Sequence, residues 1–138
     1  MRARNPIATP LNTNTALLIN VAIGWLAYAL AAVLGKTALW LAIATMLVSA
    51  GNIVAHTVLF NLKGKTCYNP GMLTALLLFL PIVLSFCVFV MQGHLASVLD
   101  WIFGLALGIM LNYVGILKLI DWLKDENTTY IFPQRFLQ

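Results

Sequence analysis

The chain has 138 residues, 62% hydrophobic and only 9% charged, far below the roughly 25% charged residues of a soluble domain. So few charges exclude a water-covered surface, and the length allows one domain whose exterior lipid must cover. The net charge of +4 is spread among loops with no stacking or groove-facing residues beside it, which argues against a nucleic-acid partner and reads as a topology signal.

In chain order, residues 1–15 are polar and carry Arg2, Arg4, Pro6 and Pro10. Thr13 and Thr15 are both N-cap candidates. A first apolar segment runs over residues 16–34, about one bilayer crossing. Arg2, Arg4 and the triplet Ala27-Tyr28-Ala29 loosely resemble a cleaved leader, but the apolar run continues past the triplet to Leu34, which favours a retained span. Gly35-Lys36-Thr37 is a tight turn, and a second segment covers residues 38–62, long enough to tilt or to project beyond the hydrocarbon.

The basic turn Lys63-Gly64-Lys65 follows. Asn69-Pro70-Gly71 then stops any continuing helix, and Pro70 suits the first turn of the next. The third segment, residues 72–91, contains Pro81, which removes one backbone hydrogen bond and predicts a kink. The fourth runs over residues 99–120, and residues 121–138 form a polar tail. Cys67 and Cys87 lie on the order of 20–25 Å apart along this layout, at about 1.5 Å per helical residue. Both are therefore expected to be free thiols.

The expected fold is thus an all-α integral membrane protein, a four-helix transmembrane bundle. Four crossings put the N-terminus, the second loop and the C-terminus on one side, with Arg2, Arg4, Lys63, Lys65, Lys118, Lys124 and Arg135, and leave only Lys36 on the other. By the positive-inside rule both termini are cytoplasmic, in a cell membrane of the bacterial inner-membrane kind. The sequon-like Asn127-Thr128-Thr129 would then lie where it is never glycosylated.

Polar side chains inside a membrane are costly, so each is a functional candidate. Thr45, Ser49, Asn52 and His56 recur at spacings of four, three and four, which places them on one face of the second helix, turned from lipid. Gly104, Gly108, Asn112 and Gly115 form a comparable face on the fourth, and Asn20, Gly24 and Tyr28 on the first. The plain reading is packing: glycines for close approach, and hydrogen bonds of roughly 0.6–2 kcal/mol each between helices. The sharper reading makes Ser49, Asn52, His56 and Asn112 a ligand-binding face, with His56 as the one catalytic candidate. Asp100 suits the positive end of the fourth helix, and Asp121 lies near Lys118 and Lys124 at helical spacing. No carboxylate lies mid-span, and no paired-carboxylate site, metal-ligand spacing, nucleophile elbow or phosphate loop occurs. His94 falls in an outer loop, across the membrane from His56. No metal and no cofactor are expected.

The stretch from His56 to Pro81, HTVLFNLKGKTCYNPGMLTALLLFLP, resembles the central part of the HXXEE-domain family of small bacterial membrane proteins. There a histidine is followed by a short basic turn, then Tyr-x-Pro-Gly and a Thr-Ala-containing apolar helix with a proline. The matching residues are His56, Lys63, Lys65, Tyr68, Pro70, Gly71, Thr74, Ala75 and Pro81, about a fifth of the chain. The His-x-x-Glu-Glu motif itself is absent, and the first segment has neither histidine nor acid. The resemblance implies a membrane bundle and no defined activity.

Three functions compete. The favoured one is a non-enzymatic binding or accessory protein for a lipid-like ligand or partner helix. The second is an integral membrane enzyme acting on a hydrophobic substrate through His56 as acid or base. The third is a small oligomeric transporter, disfavoured by the lack of an intramembrane charge. Membrane lipids are the expected partners, with a homo-oligomer or a partner membrane protein left open. The deciding observation is whether a cavity lies beside Asn52, His56 and Asn112.

Overall fold

A computed structural model describes residues 18–119 and Trp122. The candidate caps Thr13 and Thr15, the basic residues Arg2, Arg4, Lys124 and Arg135, Asp121 and the sequon lie outside the described residues. The described chain is helical apart from short turns, and three of its helices are long and apolar enough to cross a membrane: Leu26–Leu62, Gly71–Gln92 and Val98–Lys118.

The first of these is folded back on itself. Tyr28 and Ser49 would be about 31 Å apart on one straight helix, yet their hydroxyls lie 2.6 Å apart. The reversal falls at Gly35, whose φ of 51° is open to glycine without strain, and at Ala38, whose φ of −139° leaves the helical region. The helices are therefore α1 over residues 18–34, α2 over 39–64, α3 over 70–92 and α4 over 98–118. At about 1.5 Å per residue α2, α3 and α4 are long enough for a hydrocarbon layer of about 30 Å, the 26 residues of α2 reaching about 39 Å, while the described part of α1 reaches about 26 Å.

The turns follow from local chemistry. Lys65 ends α2 in the left-handed conformation, with its N–H donating to the Leu62 carbonyl and the Thr66 N–H to that of Asn61. Pro70 opens α3, where its missing N–H costs nothing. The backbone widens to i→i+5 bonding over Ala55–Leu59, Ala75–Phe79 and Leu111–Lys118. The second of these turns holds Leu77, the carbonyl that Pro81 cannot bond. At the start of α4, Ser97 and Asp100 form a capping box: the Ser97 hydroxyl accepts from the Asp100 N–H at 3.2 Å, and Asp100 accepts from the Ser97 N–H at 2.9 Å.

α2 is the hub, in contact with each of the other three helices. Its buried residues are Leu39, Ile43, Ala44, Thr45 and Ser49. The tightest partner is α4. A Cβ on Gly104 would come within 2.7 Å of the Ile43 side chain, and one on Gly108 within 2.8 Å of Leu47. These glycines let two helices meet nearly backbone to backbone. The buried residues are mostly small, with Ala31, Ala38, Ala44 and Ala75 beside the polar Thr45 and Ser49, while the exterior is large and apolar, with Leu77 64%, Phe89 63% and Ile109 63% exposed. That inversion suits hydrocarbon as the solvent. Cys67 is exposed, Cys87 half-buried, and both are free.

Candidate functional site

The polar face read along the second segment divides among three places. At its N-terminal end, Thr45 and Ser49 are buried against α1. The Tyr28 hydroxyl donates to the Thr45 carbonyl at 3.1 Å and shares a bond with the Ser49 hydroxyl. Thr45 in turn donates to the Ala42 carbonyl at 2.9 Å. The Tyr28 and Ser49 side chains and the Thr45 carbonyl hold α1 on α2, and the three side chains keep little capacity for a ligand.

The second place lies between α2 and α4. Asn112 donates from one amide nitrogen to the Leu47 carbonyl at 3.2 Å and to the Gly108 carbonyl at 2.9 Å. Its oxygen lies against Gly51, where any Cβ would collide with it. Asn112 therefore reaches the second helix, as a bridge between backbones.

The third place is the end of α2 nearest the basic turn. His56 Nδ1 is 2.8 Å from Asn69 Oδ1, while the Asn69 amide nitrogen donates to the His56 carbonyl and, at 2.8 Å, to Asn61 Oδ1. Asn61 donates to the Thr57 carbonyl at 3.1 Å and toward Met72 Sδ at 3.4 Å. The two carbonyls orient both amides, since a flipped amide would set oxygen against oxygen. Asn69 Oδ1 can only accept, so Nδ1 of His56 carries a hydrogen. A neutral His56 is then the Nδ1–H tautomer, with its basic lone pair on Nε2. Nε2 has no hydrogen-bond partner among the described residues, and no side-chain polar atom there is both buried and unpaired, so Nε2 reaches the accessible surface. The ring packs on Gly71, where a Cβ would collide with it, and meets Phe60 edge-on at a centroid distance of 4.9 Å.

A groove of about 730 Å³ lies between α1, α2 and α4, with Phe79 of α3 also on its wall. Asn52 lines it, together with Asn20, Tyr28 and Thr45; His56, Ser49 and Asn112 do not. The Asn52 amide has no hydrogen-bond partner among the described residues and is not buried from the groove. Of the four candidate binding residues, the structure thus brings Asn52 to the cavity and turns the other three to protein partners. Among the described residues no group of three His, Cys, Asp or Glu converges as a metal site would require.

Sequence reasoning missed the roles of Asn69, Gly51 and Gly71. Asn69 sits in a turn where no helical period applies. The two glycines were legible only as glycines, because what they admit comes from another helix. Gly115 carries the opposite lesson. It shares a face with Gly104 and Gly108, yet among the described residues a Cβ there would meet only Leu111, at 3.7 Å, and it borders the groove.

No curated protein and no solved structure matches the chain. Residues 2–87 match the model of a family described as proteins of unknown function with an HXXEE motif. Those residues contain no Asp or Glu, so any chemistry that needs the acids naming the family has no carboxylate here to run on. The match extends well beyond the His56–Pro81 stretch into the first two helices and covers more than half of the 138 residues: the chain is a small multi-span membrane protein of the HXXEE family.

Proposed function

We propose that the protein binds an amphiphilic lipid in the groove between α1, α2 and α4, as a binding or accessory protein and not as an enzyme. The observation that carries this reading is Asn52: an amide with no hydrogen-bond partner among the described residues, on the wall of a groove of about 730 Å³. That volume falls within the roughly 300–1,000 Å³ of small-molecule sites, which are mostly apolar with a few placed polar groups. Trp25, Val48, Leu111 and Ile116 supply the apolar wall.

The same reading has four crossings, both termini cytoplasmic and the chain in a bacterial inner membrane. Its support is the reversal at Gly35 and the gathering of seven basic residues on the ends that four spans would place together, against Lys36 alone. The test is lipid co-purification. The protein is extracted, purified, and its bound lipid quantified by mass spectrometry beside the Gly115→Leu variant. That side chain would enter the groove with its Cβ in ordinary contact with Leu111. Bound lipid should fall while the unfolding temperature holds. Equal retention in both proteins, or no lipid in either, would refute the reading.

A second reading rests on His56, whose Nε2 is unpartnered and whose tautomer Asn69 sets. An enzyme using it as a base would need a substrate at the end of α2 nearest Lys65, away from the groove wall. The side chains in its hydrogen-bond network, Asn69 and Asn61, are neutral amides, which favours the binding reading.

A further inference from the structure

We infer that the occupant of the groove is an uncharged lipid, one whose head is a hydroxyl or carbonyl group and carries no phosphate. The inference rests on the groove being the binding site, and it names what that site selects.

Among the described residues, those that line the groove include no Asp, Glu, Lys, Arg or His. A phosphate brought there would be a buried charge without a counter-charge, the arrangement hydrocarbon tolerates least. Depth gives the second argument. Asn52 lies 13 residues after Leu39 and 10 before Leu62, about 20 Å and 15 Å along the helix. The amide is thus near mid-membrane, whereas phosphates stay outside a hydrocarbon layer about 30 Å thick. A phospholipid can lay acyl chains in this groove but cannot bring its head to Asn52.

Hydrogen-bond capacity gives the third. Tyr28 and Thr45 are already committed to Ser49 and to the Thr45 and Ala42 carbonyls. Asn52 keeps both an amide donor and an amide acceptor. An alcohol uses both, and a ketone or ester uses the donor. The fitting class is therefore an acylglycerol, a long-chain or isoprenoid alcohol, or a quinone-type carbonyl lipid.

The experiment is photo-cross-linking of the full chain in cell membranes, with a photoreactive side chain at Val48 and, independently, at Ile116, both on the groove wall. The same group at lipid-facing Phe89 serves as control. Adducts are identified by mass, and dioleoylglycerol added to phosphatidylglycerol nanodiscs is the competing probe. Support would be phosphorus-free adducts at the groove positions, competed by dioleoylglycerol and reduced several-fold by Asn52→Leu, beside phospholipid adducts at Phe89. Phospholipid adducts at Val48 and Ile116, undiminished by dioleoylglycerol, would overturn the inference and leave the groove standing as a lipid site. Adducts within the chain or to another protein, or none where Phe89 captures lipid, would overturn both.

Discussion

His56 and Asn69 are joined twice: the Asn69 amide nitrogen donates to the His56 backbone carbonyl, and its oxygen accepts from the His56 ring at 2.8 Å. One side chain thereby reads both the backbone and the ring of the same residue. It is spent on α2 and makes no cap bond to its own helix α3. The Lys65–Asn69 turn is closed across the two helices by this contact and by the Asn69–Asn61 bond at 2.8 Å.

Replacement of Asn69 separates charge from shape. In Asn69→Ala all three bonds of that side chain are lost, for an expected cost of about 1–3 kcal/mol. Asn69→Asp keeps the shape but sets oxygens against the His56 carbonyl and Asn61 Oδ1, and is expected to destabilise at least as much. Denaturation in a fixed detergent measures both. An Asn69→Asp protein as stable as the parent would contradict the orientation of the Asn69 amide.

The ring state of His56 is open to direct observation. Nitrogen-15 spectra of histidine-labelled protein should place the hydrogen of neutral His56 on Nδ1, whereas free histidine favours Nε2. In Asn69→Ala the signal should move toward the free pattern. A dominant Nε2–H form in the parent would contradict the geometry.

The glycines should divide by what faces them. At Gly104 and Gly108 a methyl group would meet Ile43 and Leu47 at 2.7 and 2.8 Å, with the Trp40 carbonyl at 2.8 Å from the first. Overpacking there should cost about 1–3 kcal/mol for each Gly→Ala change. Gly71→Ala should behave alike, because its methyl group would land on the His56 ring. Gly115→Ala meets only Leu111 at 3.7 Å and should be neutral or stabilising by up to about 1 kcal/mol, the helical preference of alanine over glycine. Thermal unfolding of the four variants in one detergent checks the ranking.

Much of this was legible in the sequence, for physical reasons that also set its limit. Thr45 and Ser49 were readable as inward-facing because a polar side chain on lipid is costly, and both are buried. Asn112 was readable as reaching α2 because it continues the face of Gly104 and Gly108, and its amide bonds the Leu47 carbonyl. Periodicity fixes a side chain's direction from its own helix and says nothing of what stands opposite. That is why one stripe on α2 became a contact with α1 at Ser49, a groove wall at Asn52 and a turn clamp at His56. The partner Asn69 lies in a turn, outside any period. The groove itself depends on the small residues of α1 and α4 falling at one level, which no single segment encodes.

Orientation can be tested with a residue the protein already has. Cys67 is exposed in the turn between α2 and α3, beside Lys65, and Cys87 is half-buried within α3. With both termini cytoplasmic, a membrane-impermeant maleimide should label Cys67 in inverted vesicles and leave it unlabelled in intact spheroplasts. Cys87 should resist the reagent in both, since it lies within the apolar helix Gly71–Gln92. Cys67→Ser should abolish the signal. Lys36 is exposed, and in Cys67→Ser the further change Lys36→Cys should show the opposite pattern. In that orientation Lys63 and Lys65 would each gain about 1 kcal/mol near anionic cytoplasmic headgroups, against Lys36 alone at the other end of α2. Labelling of Cys67 from outside would invert the topology, and labelling of both thiol positions, 36 and 67, from the same side would remove the crossing between them.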